Sequence, residues 1–297
     1  MCIRDSYKAP LHGFVEKLGW DDVFAGMRLL IATFIALPLL PNEPIDPWGA
    51  LNPYKLWLLV ILISSLSLVG YVLTRMLGPA RGTALTGLAG GLVSSTAVTL
   101  SFAREGRDNP QESAALSCGI LLAWAIMFVR VIVLVAAVNR GLLVHVLVPF
   151  VVMAAVVGGF AMFLYYRGGS IDGAAAKGSL KVENPFSLTA AAKFAALFAV
   201  VLLAVKIVHE HFPPSGLYAV AALAGLTDVD AITLSMSEFA KAGEASVAVI
   251  AIVIAALTNT VVKCGMAFVL AGPALGKPLL IATIATLAAG LASAFLL

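Results

Sequence analysis

Apolar residues along this chain come in long unbroken runs, with neither strict alternation nor a narrow amphipathic stripe. Nine runs stand out: Val23–Leu40, Leu56–Leu77, Gly82–Phe102, Ala114–Val138, Leu142–Tyr165, Leu188–Val208, Gly216–Phe239, Val247–Leu270 and Leu279–Leu297. Each approaches the roughly 20 residues that cross about 30 Å of hydrocarbon. A helix that is apolar all round has little 3.6-residue periodicity, and little is seen. A transmembrane barrel would instead show short alternating segments, and none occur. The predicted fold class is all-α, a polytopic helical membrane protein.

Composition strengthens this picture. Of 297 residues, 61% are hydrophobic and 12% charged, with a mean hydropathy of +1.01. Soluble proteins carry roughly 25% charged residues. A disordered chain, a nucleic-acid-binding module and almost any soluble enzyme are excluded. The formal charge of +3 is balanced and its basic residues are scattered, so no nucleic-acid partner is expected. Cys2, Cys118 and Cys264 form no disulfide framework or metal spacing, and read as small apolar residues where they lie in apolar runs.

The polar segments divide the chain. Residues 1–22 read as a non-membrane stretch whose Met1–Ser6 joins nothing downstream, which suggests a truncated or artefactual start. Residues 23–55 hold the first span and its connecting loop, and 167–187 form a polar linker between 56–166 and 188–297. No secretory leader is visible. If all nine runs cross, the two faces carry six and seven Lys or Arg residues, and the positive-inside rule gives no orientation.

The chain is also similar to itself. Gly91-Leu92-Val93-Ser94-Ser95-Thr96-Ala97-Val98-Thr99-Leu100-Ser101 resembles Gly225-Leu226-Thr227-Asp228-Val229-Asp230-Ala231-Ile232-Thr233-Leu234-Ser235 at an offset of 134. Arg130 falls on Lys263 at an offset of 133, and each is a lone cation inside an apolar run. Residues 56–166 and 188–297 therefore read as two copies of a four-segment unit. Four full spans per copy would make the copies parallel. A re-entrant Gly-rich run would leave three and make them inverted. Duplicated units with interrupted segments at matching positions point to a transporter-like site at their interface. Duplication as an economical way to build a bundle is the plainer alternative.

Asp228 and Asp230 sit mid-run, where an Asp costs about 2.5–3.5 kcal/mol to insert. Against about 5–7 kcal/mol for the pair, the apolar residues of that run return about 2.4–5 kcal/mol. The segment needs a partner, a proton, a bound cation or a watery cavity. Residues two apart do not share a helical face, so both carboxylates reach one site only if the helix unwinds. Gly225 permits the break and Thr227 can satisfy freed backbone groups. Lys263 and Asn259, four apart, share a face and are expected to meet the aspartates, with Lys263 as counter-charge and Ser235 as further polar lining. Such a cluster suits a cation or a proton, any metal falling to Asp228 and Asp230; a structural ion pair is the alternative. In the first copy Ser94, Ser95 and Thr96, with Arg130 opposite, form the corresponding polar region. It offers hydroxyls and amides to an anion or a permeation path, or else marks tight helix packing. His209-Glu210-His211 is a weak metal hint. No nucleophile–base constellation and no phosphate-binding loop occur, so neither an enzyme nor a cofactor is expected.

The runs Leu39-Leu40-Pro41-Asn42, Leu51-Asn52-Pro53-Tyr54-Lys55-Leu56-Trp57, Gly70-Tyr71 and Gly87-Leu88-Ala89-Gly90-Gly91-Leu92-Val93-Ser94-Ser95-Thr96-Ala97 resemble the uncharacterised membrane family 4010 among domains of unknown function. The resemblance implies a multi-pass protein in the inner membrane of a bacterium or archaeon. It also implies association with an MgtC/SapB-type domain, here absent upstream, and brings no established activity.

The expected function is transporter-like or ion-handling, with the bilayer, an inorganic cation or a proton as partners. The rival is a regulatory or scaffold membrane protein that moves nothing.

Overall fold

The computed structural model describes residues 20–47, 49, 51–77, 82–167, 188–212 and 215–295. The opening stretch with Met1–Ser6, the linker from 168 to 187, Pro213 and Pro214 lie outside the described residues.

Every regular element among the described residues is helical. Helix α1 is Trp20–Ile31, continued by a π turn Ala32–Ala36 and Leu37–Leu39. It is followed by α2 (Pro53–Leu77), α3 (Thr83–Asp108), α4 (Ser113–Val138) and α5 (Arg140–Arg167). The second half of the chain gives α6 (Leu188–His211), α7 (Ser215–Gly225), α8 (Asp230–Phe239), α9 (Ala245–Ala271) and α10 (Pro273–Phe295). Seven of these are long and apolar enough to cross a membrane, and the stretches Gly26–Leu39 and Gly216–Gly225 are shorter apolar helices. Large apolar side chains such as Val69, Val144, Val200 and Val269 are exposed on outer faces, as lipid-facing residues are. The protein is a multi-pass membrane protein.

The nine predicted runs thus do not become nine single spans. The seventh run is cut in two: α7 ends at Gly225 and α8 starts at Asp230. The third is long enough to cross but is not one straight helix. Ser94 inside α3 has φ −163° and ψ 108°, an extended residue between two helical halves.

Packing against α4 shows what that residue does. In the first half, a Cβ on Gly87 would lie 2.7 Å from the Gly119 Cα, and one on Gly91 would lie 2.7 Å from the Ala123 Cα. Both numbers rise together, so this half runs parallel to α4. In the second half, Trp124 Nε1 donates to Thr99 Oγ1 at 2.9 Å, while a Cβ on Gly106 would lie 3.4 Å from the Leu116 side chain. Here one number rises as the other falls, so this half runs antiparallel to α4, as the short connector Pro110–Glu112 requires. Helix α3 is a hairpin folded back at Ser94.

Helices α7 and α8 form a second hairpin. The ring of His209, at the end of α6, lies 4.8 Å from that of Phe239, at the end of α8. Ser215, the start of α7, follows the end of α6 after three residues. Both ends of this hairpin therefore lie at one face, and its tip lies inside.

The two hairpins open at opposite ends of α4 and α9. The first opens where α4 starts and α9 ends: a Cβ on Gly106 would lie 3.7 Å from that of Ala271, and Ser117 Oγ donates to the Leu275 carbonyl at 3.4 Å. The second opens where α4 ends and α9 starts. Asn139 Nδ2 donates to the Ser237 carbonyl at 3.1 Å, while Asn139 Oδ1 caps α5 by accepting from the N–H groups of Gly141 and Leu142. The connections stay short because Gly243 and Gly272 adopt φ of 107° and 75°, a region that side chains other than glycine rarely enter.

Lipid tails are as apolar as leucine, so close backbone approach does the work that water-driven burial does elsewhere. Gly87 and Gly91 let the first hairpin seat on α4. Gly225 does the same against α9, where a Cβ would lie 2.8 Å from the Ala255 Cα. The small-residue reading of the Gly-rich run therefore has a direct structural basis.

Candidate functional site between the hairpin tips

A helix that breaks inside a bilayer leaves backbone groups on both sides of the break, and each needs a partner. At the first tip, Ser94 Oγ accepts from the Ala97 N–H at 3.2 Å and caps the second half of α3. At the second tip, Asp228 Oδ1 accepts from the Asp230 N–H at 3.0 Å and so satisfies the first N–H of α8. Ser94 and Asp228 are the residues that the offset of 134 pairs, so the two breaks fall at matching positions.

The carbonyls left at the end of each leading half are met from the scaffold helices. Arg130 on α4 donates through Nη1 to the carbonyls of Leu92 at 3.1 Å and Val93 at 3.4 Å. Asn259 on α9 donates through Nδ2 to the Gly225 carbonyl at 2.8 Å. Thr227 Oγ1 donates to the Ala224 carbonyl at 2.9 Å, the role the sequence assigns it.

The charges distribute differently from the sequence reading. Lys263 is not ion-paired with either aspartate. Asp230 is paired with Arg130, whose Nη2 donates to Asp230 Oδ2. Lys263, on α9, instead donates through Nζ to Ser95 Oγ at 2.7 Å and to Met127 Sδ at 2.9 Å. The physical reason is the inward meeting of the tips. Arg130 reaches both tips, the Leu92 and Val93 carbonyls at the first and Asp230 at the second, while Lys263 reaches across to Ser95 at the first. Lys263 is only 1% exposed and Asp230 6%. Arg130 Nε is buried without a hydrogen-bond partner among the described residues.

These groups surround one cavity of about 220 Å³. Its lining includes Ser94, Ser95, Thr96, Arg130, Thr227, Asp228, Asp230, Asn259 and Lys263, together with Gly91, Val93, Met127 and Val229. Of the ten residues singled out in the sequence, nine meet here. Ser235 does not. Its hydroxyl donates to the Ala231 carbonyl at 2.8 Å, and it borders a different cavity of about 480 Å³ with Lys55, Lys206 and Glu238. One turn along α8 from Ala231, it points away from the tip.

Met127 is a lining residue, in contact with Lys263, that the sequence analysis did not single out. It lies three positions before Arg130 on α4, close enough to share its face, but a methionine in an apolar run carries no polar signal. Among the described residues no group of three or more His, Cys, Asp or Glu side chains is placed to hold a metal ion. Cys118 and Cys264 are buried free thiols away from the tips. His209 stacks edge-on with Phe239 and His211 Nδ1 lies 3.0 Å from the Ile207 carbonyl, so these two histidines are engaged separately.

Comparison with known proteins adds a family. The description "Domain of unknown function (DUF4010)" matches residues 61–271, a stretch that takes in both hairpins and the whole lining of the cavity. A protein of Aquifex aeolicus (strain VF5), described as "Uncharacterized protein", is 34% identical over 190 residues, covering 62% of this chain and 80% of that relative. No solved structure matches.

Proposed function

This chain belongs to the DUF4010 family, and on that footing we propose that it is a secondary-transporter-like protein of the bacterial or archaeal cytoplasmic membrane. Its transport site is the cavity between the two hairpin tips, and its two halves are copies related by inversion. The observation that carries this reading is the entry of two broken-helix hairpins from opposite faces, meeting tip to tip around buried polar and charged side chains. Broken helices at matching positions, with an ion site near the middle, suit alternating access.

Asp228 is the group that exchanges a proton with each face. It lines the cavity, and among the described residues no basic side chain lies within ion-pair distance of it. The charged groups facing it are Asp230 on α8, Arg130 on α4 and Lys263 on α9. Asp230 is committed to Arg130 and is a structural partner. A proton is preferred to a metal cation, because two cationic side chains already share the small cavity.

The test is accessibility from the two faces. With Cys2, Cys118 and Cys264 replaced, Thr96→Cys is exposed to a membrane-impermeant maleimide in right-side-out and in inside-out vesicles. Labelling from both faces is expected. Labelling from one face only, or from neither, would favour a static regulatory or scaffold protein.

A further inference from the structure

We infer that the cavity between the hairpin tips takes a small oxyanion, with Lys263 as its counter-charge. This deepens the reading of that cavity as the transport site and rests on it.

The charges around the cavity lead there. Asp230 is matched by Arg130. Asp228 is held at the N-terminus of α8, its Oδ1 accepting the Asp230 N–H at 3.0 Å. Lys263 remains. The residue is 1% exposed, and the partners of its ammonium are a hydroxyl and a thioether. A thioether is a weak acceptor. Among the described residues no carboxylate lies within ion-pair distance of Lys263. Asp228 and Asp230 act on it electrostatically across the cavity but do not touch it; a buried ammonium without a contacting anion is costly, and a bound anion removes that cost.

Further donor groups lie at the same space. Arg130 is one of its lining residues, and its Nε is buried and unpartnered among the described residues. The trailing halves of both hairpins begin at the tips, at Ser95 and Asp230, so the positive ends of two half-helices converge there. Ser94, Ser95 and Thr96 line the wall with hydroxyls. This donor set is rich in N–H and O–H groups and matches oxygen acceptors on an anion. The volume of about 220 Å³ corresponds to roughly seven waters at about 30 Å³ each, room for a carboxylate, sulfate or phosphate with part of its hydration. The two aspartates do not forbid it. Asp230 is neutralised by its arginine, and Asp228 carries the transported proton while the anion is bound, so anion and proton enter together.

The experiment compares sodium sulfate, phosphate, acetate and chloride at constant ionic strength. It reads the unfolding midpoint of the purified full chain and the rate at which Thr96→Cys is labelled. At least one oxyanion is expected to raise the midpoint saturably above chloride and to slow labelling. Lys263→Gln should weaken that anion roughly 30-fold, as losing one member of a buried charge pair does. General salt stabilisation would appear equally in the variant. Equal midpoints in all four salts, or an equal shift in Lys263→Gln, would overturn the inference. Should Lys263→Gln fail to fold, protection of Thr96→Cys in an otherwise Lys263-containing protein still decides it. Labelling from both faces that no anion slows sinks the anion while leaving alternating access in place. Labelling from fewer than two faces sinks the transport reading itself.

Discussion

The two aspartates differ by two positions and by role, and single substitutions should separate them. Asp230→Asn leaves the guanidinium of Arg130 buried without its counter-charge, at an expected cost of about 3–5 kcal/mol. Asp230→Leu together with Arg130→Met removes both charges but also the donor to the Leu92 and Val93 carbonyls, so it should recover only part of that loss. Asp228→Asn keeps an acceptor oxygen for the Asp230 N–H and should stay within about 1 kcal/mol of the wild type. It should nevertheless abolish proton-linked activity. Thermal unfolding in detergent and proton uptake in proteoliposomes check the two halves of this statement. A large loss of stability in Asp228→Asn would show that it, too, is structural. The candidates were legible at this scale because an ionisable residue in an apolar run stands out whatever surrounds it. Their pairing was not. Asp230 and Lys263 belong to the same half of the chain and were the natural couple, yet Arg130 lies 100 positions from the carboxylate it binds. Side-chain spacing along one helix says nothing about which residue a tip meets across the molecule.

Length and hydropathy describe a helix without giving it a direction. That is why α3, with 26 residues and ample apolar content, reads as a span although it folds back at Ser94. The signs of a break were present in the sequence, in Gly90-Gly91 and the hydroxyl run after them, and in Gly225 ahead of the aspartates. The reversal of direction was not, because it is fixed by which glycine seats on which backbone: Gly87 on Gly119 and Gly91 on Ala123. The hairpin has a plain consequence. Gly82 and Asn109 flank α3, and cysteines placed at these two positions should be labelled from the same side of the membrane. A cysteine at Gly243, beyond the second hairpin, should be labelled from the other side. If Gly82→Cys and Asn109→Cys react from opposite sides, α3 crosses as one helix and the tip-to-tip site does not exist.

Folding two runs back also changes the charge count of the whole molecule. With nine crossings the basic residues divided six to seven, and no orientation followed. With hairpins, and among the described residues, the face where α3 opens takes the connections and helix ends that carry Arg75, Arg104, Arg107, Arg167, Lys193 and Lys277. The opposite face takes Lys55, Arg140, Lys206 and Lys241. Cytoplasmic connections are the ones enriched in Lys and Arg, so six against four among the described residues predicts that the first hairpin opens toward the cytoplasm. On that prediction the second hairpin opens outward, with Asp228 reaching the site from the outer half of the bilayer and Ser94 from the inner half. Alkaline phosphatase is active only outside the cytoplasm. Fused after Gly243 it should be active, and fused after Asn109 it should be inactive. The reverse pattern would invert the molecule without disturbing the hairpins. Activity at both positions would instead place Asn109 and Gly243 on one side, which the opposed openings at the two ends of α4 and α9 do not allow.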